Sequence, residues 1–175
     1  PYDQTPEDNG AARGWIATAN QRVTAPGYPH FLTQDWVLPY RYDRIAALLE
    51  ARPLHDAQSM RAIQADSLSL AALRLLPHLQ RAQGQAQHPL AAAVQAPLQD
   101  FDGRMRADRA APLVFAAWAD ELARGLIAPR IGQAVFKATY GKRDYRAAVE
   151  GILERGDAWW CQPLSCEAQS ARALE

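Results

Sequence analysis

The sequence has no net charge: nineteen Lys and Arg balance nineteen Asp and Glu over 175 residues. No bulk positive field is therefore available to draw in nucleic acid or an anionic membrane, and neither is expected as a partner. Long apolar runs are missing too. The longest uncharged apolar stretch, residues 110–119, falls well below the roughly 18 residues that a membrane span needs. Phosphate-cradling glycine motifs of the GxGxxG and GxxxxGK[ST] kinds do not occur, so nucleotide binding has no support. His30, His55, His78 and His88 are scattered without HxxxH or HExxH spacing, and no CxxC pair exists. No metal is expected to bind this chain. Cysteine is scarce: Cys161 and Cys166 are compatible with a bridge in an oxidising compartment and equally with two free thiols. A GxSxG nucleophile elbow is absent, and the five serines, at 59, 67, 69, 165 and 170, read mostly as helix caps or surface positions. Pro1 as a catalytic secondary amine would need a strand that starts at once, whereas residues 1–14 read as loop.

What is present is a globular composition, 49% hydrophobic and 22% charged, able to bury about two thirds of the unfolded surface. Thirty-five residues are Ala, and seventeen of the basic residues are Arg, which favours helix. The chain starts without Met and shows no basic-then-apolar leader, the pattern expected of a processed product or an excised piece. Residues 15–19, Trp-Ile-Ala-Thr-Ala, are apolar with a β-branched centre and form the best strand candidate. A lone strand must pair with something, either an unrecognised strand or the sheet of a larger protein.

From Pro39 the period becomes helical. Pro39 suits a first turn, and Ile45, Leu48 and Leu49 lie on one face before Pro53. Asp56 is placed to cap a second helix carrying Met60 and Ile63, with Leu54 just outside as its hydrophobic contact. A third helix from Asp66 or Ser67 carries the clearest stripe, Leu68, Ala72, Leu75, Leu76 and Leu79. Pro77 inside it predicts a kink or an end one turn earlier. Further helices are predicted over 90–98, from Ala111 to about Gly125, and from Asp144 as cap to Gly156. One mostly helical unit results, with loop over 1–14, a strand over 15–20 and helices over 39–173.

Asn20 closes the strand candidate. A side-chain amide held there can donate to a developing oxyanion, although on residue type alone a turn-forming Asn closing the strand is the commoner case. Arg44 by itself reads as a solvated or paired surface arginine. The order of segments adds meaning. Gly14 to Arg22 (GWIATANQR), then Tyr28-Pro29, Trp36 and PYRYDRI from Pro39, resemble the β-chain of the penicillin acylase (penicillin amidase) family of N-terminal-nucleophile hydrolases. Gln64, Asp66, Ser69, Leu70, Ala72, Leu75, Leu76, Pro77 and Leu79 follow the family's Q-x-D-x-x-S-L-x-A-x-x-L-L-P-x-L run. Phe101-Asp102-Gly103, Ala110-Ala111, Phe115 and Trp118 resemble its aromatic helix block, and Trp160-Cys161 with Cys166-Glu167 a later segment.

The resemblance implies a mainly α segment of an αββα Ntn-hydrolase, residues 15–19 joining its sheet. It implies cleavage of an acyl group from an amide, a penicillin, an acyl-homoserine lactone or a related compound, through an acyl-serine intermediate. Asn20 matches the family's oxyanion-stabilising asparagine and Arg44 the arginine that organises the active site. Many members carry Asn-Asn where this chain has Asn20-Gln21. The family nucleophile is a serine freed by self-cleavage. It is expected upstream of Pro1, which would leave residues 1–175 alone inactive. The expected partners are the rest of the precursor, a smaller α-chain and the remainder of the β-chain, together with a small acyl-amide substrate. No cofactor is expected here, since any calcium of the intact enzyme would sit on other segments. A periplasmic or secreted location is expected from the family. The rival reading is a stand-alone helical binding or scaffold module whose exposed apolar stripe docks a partner. Such a module should cover the apolar surface around residues 15–19, and a part of a larger fold should leave it open.

Overall fold

The computed structural model describes residues 2–139 and 144–175, the side chains of Tyr2 and Asp144 excepted. The expected cap at Asp144 therefore lies outside the described residues. The chain divides into two compact units, 1–66 and 67–175, at a point where composition marks no boundary.

In the first unit, a short 3₁₀ turn at Tyr2–Gln4 precedes a long irregular segment, then α1 (Tyr40–Glu50) and α2 (Ala57–Gln64). The leading strand expected over 15–20 does not form. Residues 15–18 engage in no backbone–backbone hydrogen bond among the described residues. A strand is defined by its ladder, and apolar β-branched character alone does not supply one. Among residues 3–66 only Gly10, Ala19, Gln21 and Ser59 are buried, and α1 buries no residue. Polar bonding shapes this unit instead. Asp8 pairs with Arg13, whose guanidinium lies 4.6 Å from the Trp15 ring centroid and donates to the Tyr42 hydroxyl at 2.8 Å. Asp56 caps α2 in a full capping box with Ser59, and the Ser59 N–H it accepts holds its carboxyl below the usual range. Leu54, expected as the contact beside that cap, is 81% exposed.

The second unit has a true core. It comprises α3 (Leu70–Gln83), α4 (Ala91–Leu98), α5 (Ala111–Ile131), α6 (Gln133–Thr139), α7 (Asp144–Arg155), α8 (Ala158–Cys161) and α9 (Cys166–Arg172). The helix α5 is central and packs against α4 and α6 through α9, while α3 packs on α7 and α9. Trp118 is fully enclosed, and its indole N–H donates to the Ser170 carbonyl at 2.9 Å. Around it gather Leu75 and Leu79 of α3, Leu122 and Leu126 of α5 and Ile152 of α7.

Two helix ends differ from expectation. The third helix starts later, at Leu70 with Ser69 as cap, and runs through Pro77 to Gln83. Burying Leu75, Leu76 and Leu79 yields roughly 1.5–3 kcal/mol each, more than the ~3 kcal/mol that an internal proline costs. Likewise α5 passes Gly125 and stops at Gly132, which adopts φ 86°. A mid-helix glycine costs only about 1 kcal/mol, and Leu126, Ile127 and Ala128 are all buried beyond it. Gly156, with φ 59°, ends α7 as expected. The one β-like pairing outside helices among the described residues is an antiparallel bridge, Leu68 to Arg104.

Candidate active site around Asn20

The apolar run ends in a tight reversal at Asn20, whose φ of 64° is the only positive value at a non-glycine position among the described residues. Asn is one of the few side chains that tolerates this left-handed region. Three contacts fix it. The Gln21 carboxamide oxygen accepts the Ala19 N–H at 2.8 Å, the Asn20 carbonyl accepts the Val37 N–H at 2.9 Å, and Arg41 reaches in from the first turn of α1. One Arg41 nitrogen, Nη2, donates to both the Ala19 carbonyl and Asn20 Oδ1, each at 2.8 Å.

That last contact sets the chemistry of the amide. A guanidinium only donates, so it takes the oxygen end of the Asn20 side chain and leaves the NH₂ end as the disengaged group. The positive charge also draws electron density toward Oδ1 and strengthens the NH₂ as a donor. Asn20 is exposed, and its Nδ2 makes no hydrogen bond among the described residues. A rigid, polarised, outward donor is what a developing oxyanion requires.

Arg44, the other residue singled out from the sequence, is placed elsewhere. It forms a two-pronged ion pair with Asp66, Nε to Oδ2 and Nη2 to Oδ1, both at 2.8 Å. The Asp66 carboxylate raises its pKa above the ordinary value, mainly through the hydrogen bond. Arg44 thus ties α1 to the segment after α2, and Arg41 is the arginine on Asn20. Sequence reasoning passed over Arg41, although one signal was there: a cation in the first helical turn opposes the helix dipole and needs a partner to hold it.

Beside this turn an open groove of about 780 Å³ runs between Trp15 and Ile16, Ile45 and Leu49 of α1, and Met60 and Ile63 of α2. Ile16 is 59% exposed there. Four of the serine hydroxyls are engaged with backbone: Ser59 in the α2 box, Ser69 and Ser165 as caps, and Ser170 on the Cys166 carbonyl. Cys161 and Cys166, left open as bridge or thiols by the sequence, are joined by a disulfide with Cα atoms 4.9 Å apart. Among the described residues no three His, Cys, Asp or Glu side chains group as a metal site would. No described helix is long and apolar enough to cross a membrane.

A family model described as penicillin amidase matches residues 1–175. The chain is 34% identical over 170 residues to the acyl-homoserine lactone acylase QuiP of Pseudomonas aeruginosa, covering 87% of this chain and 20% of that protein. To the penicillin acylase 2 proenzyme of Pseudomonas sp. (strain SE83) it is 32% identical over 177 residues, covering 100% of this chain and 22% of that one. It spans about a fifth of the length of these curated relatives. With a family model matched over every residue and the expected motifs in order along the chain, this protein belongs to the penicillin amidase family.

Proposed function

We propose that this chain is part of an amidohydrolase that transfers an acyl group from an amide to water through an acyl-serine intermediate. Asn20 donates its NH₂ to the oxyanion of the tetrahedral intermediate, and Arg41 orients and polarises it. The observation that carries this reading is the Arg41 Nη2 to Asn20 Oδ1 hydrogen bond of 2.8 Å, because it decides which end of the amide is presented. Arg44 organises the site at one remove, by anchoring α1 through Asp66. The nucleophile is a serine outside residues 1–175. Four of the serine hydroxyls here are already held by backbone groups, a poor starting point for attack.

The acyl donor class follows the names of the relatives, an acyl-homoserine lactone or a penicillin, and water is the acceptor. Partners are the rest of the same precursor, and the surface around residues 15–19 supports this: Ala19 is covered, but Ile16 stays open, and a self-sufficient module would cover it. The groove beside Ile16 is what the rival reading, a stand-alone helical docking module, would use. It gives no reason for a polarised amide on a left-handed turn. A periplasmic or secreted location is supported by the Cys161–Cys166 bridge, which persists where thiols are not kept reduced. No cofactor takes part in the proposed step.

The test is amine release from a panel of N-acyl substrates by the full-length protein carrying Asn20→Ala. Loss of one oxyanion donor should lower kcat by roughly 10²–10³ with KM little changed. An Asn20→Ala enzyme as fast as the parent sinks the assignment.

A further inference from the structure

Of the three contacts that fix the Asn20 turn, the one from Gln21 has no part in the proposed reaction. Gln21 is 8% exposed, an unusual degree of burial for a polar residue in a unit where almost nothing else is buried. Its Oε1 accepts the N–H of Ala19, two residues back, at 2.8 Å. Ala19 is itself 7% exposed, so this N–H has no ready access to water. The bond closes a small ring with Asn20 at its apex, where φ is 64°. Arg41 then holds the Ala19 carbonyl from the other side of the same residue. Both polar groups of Ala19 are spoken for, one by Gln21 and one by Arg41, and the residue between the two clamps is the proposed oxyanion donor.

A left-handed conformation at a residue other than glycine is strained and persists only where its surroundings over-determine it. Gln21 supplies that determination. From this geometry we infer that Gln21 is a positioning residue, which fixes Asn20 in its left-handed turn by capturing the Ala19 N–H and so sets the aim of the oxyanion donor. The inference rests on the reading of Asn20 given above. The glutamine length matters: the carboxamide must reach back past one residue, and an asparagine at 21 ends one methylene short.

The experiment uses the full-length enzyme and compares Gln21→Glu, Gln21→Asn and Gln21→Met with the parent and with Asn20→Ala, by kcat, KM and thermal melting. Glutamate keeps an acceptor oxygen at the same reach and should hold kcat within about threefold. Asparagine should lower it severalfold, and methionine, of similar shape without an acceptor, by roughly tenfold to a hundredfold, the range expected for a displaced catalytic group. KM should stay within about twofold throughout, because the oxyanion exists only in the transition state. In an Asn20→Ala background Gln21→Met should add nothing. If Asn20→Ala is slow and Gln21→Met is not, Gln21 has no positioning role while the oxyanion assignment stands. If Asn20→Ala is as fast as the parent, both fall. Parallel losses of kcat and melting temperature in all three Gln21 variants, glutamate included, would make Gln21 a structural residue only. Should the methionine variant fail to fold, the order glutamate above asparagine still decides, and a flat or reversed order overturns the inference.

Discussion

Two arginines three residues apart on α1 are given different work, and exchanging each for methionine separates them. Arg41 contributes two charge-assisted hydrogen bonds of 2.8 Å from one nitrogen. Such bonds are worth about 1.5–3 kcal/mol in protected settings, but Arg41 is exposed, so screening leaves them worth under about 1 kcal/mol for stability. On the proposed role of Asn20 its effect on rate is larger, since an unpolarised and free-swinging Asn20 would forfeit part of the 10²–10³ that an oxyanion donor supplies. Arg41→Met should therefore lower kcat by ten- to a hundredfold, equivalent to about 1.4–2.7 kcal/mol of transition-state stabilisation, with KM and melting temperature nearly unchanged. Arg44 makes its paired contact with Asp66, the two side chains being 24% and 11% exposed. This lies between a surface pair worth under 1 kcal/mol and a buried one whose rupture costs about 3–5. Arg44→Met should thus destabilise by about 1–2 kcal/mol, since Asp66 keeps a poorly hydrated charge, and lower kcat by threefold at most. Steady-state amine release and urea unfolding of the full-length enzyme read both quantities. The reverse pattern, a slow and stable Arg44→Met beside a fast Arg41→Met, would refute the assignment of Arg41 to the site.

Leu79 is completely enclosed in the core of the second unit, so Leu79→Ala should cost about 2–5 kcal/mol by urea midpoint; a loss under 1 kcal/mol would mean the α3 stripe is not packed as described. Reducing the Cys161–Cys166 bridge, which closes a short loop, should remove about 2 kcal/mol on the loop-entropy scale, seen as a lower melting temperature with reductant that the double alanine variant no longer shows. Burial holds the pKa of His78 below its ordinary 6.5, aided by Arg81 and opposed by Glu154. As pH falls below that value the unfolded chain takes up a proton the folded one resists, so this contribution to stability is present above pH 6.5 and lost below it. His78→Gln should flatten the stability difference between pH 7.5 and 5.5; an unchanged slope argues against it.

The helical parts of this chain were legible because their apolar residues recur at helical spacing and their starts carry capping residues: Asp56 and the Leu75, Leu76, Leu79 stripe are where the pattern put them. Helix ends were less so, since Pro77 and Gly125 read as breakers while the burial that overrides them depends on partners far along the chain. The strand over 15–20 was an inference from residue type alone, and residues 15–18 make no backbone–backbone hydrogen bond among the described residues. At the candidate site, Asn20 drew notice from its place at the end of the apolar run and from the family pattern, and the structure puts it on a left-handed turn. Arg41 was not, because a charged residue on a helix says nothing about what it touches, and the left-handed turn was not, because Asn adopts it only by permission of its neighbours.

Burial is sparse among residues 3–66, so under the proposed function the ordering of this unit would behave as a binding equilibrium. Helices that hide no large apolar side chain of their own draw little stability from packing, so their persistence scales with how well a covering surface engages them, as any ligand stabilises the state it prefers. Tethering raises the local concentration of such a surface to the millimolar range without adding a contact. Under the proposed function, occupancy of the Asn20 turn would follow assembly, and a substitution at Ile16 or Met60 that leaves every bond around Asn20 untouched should still lower activity by emptying that occupancy.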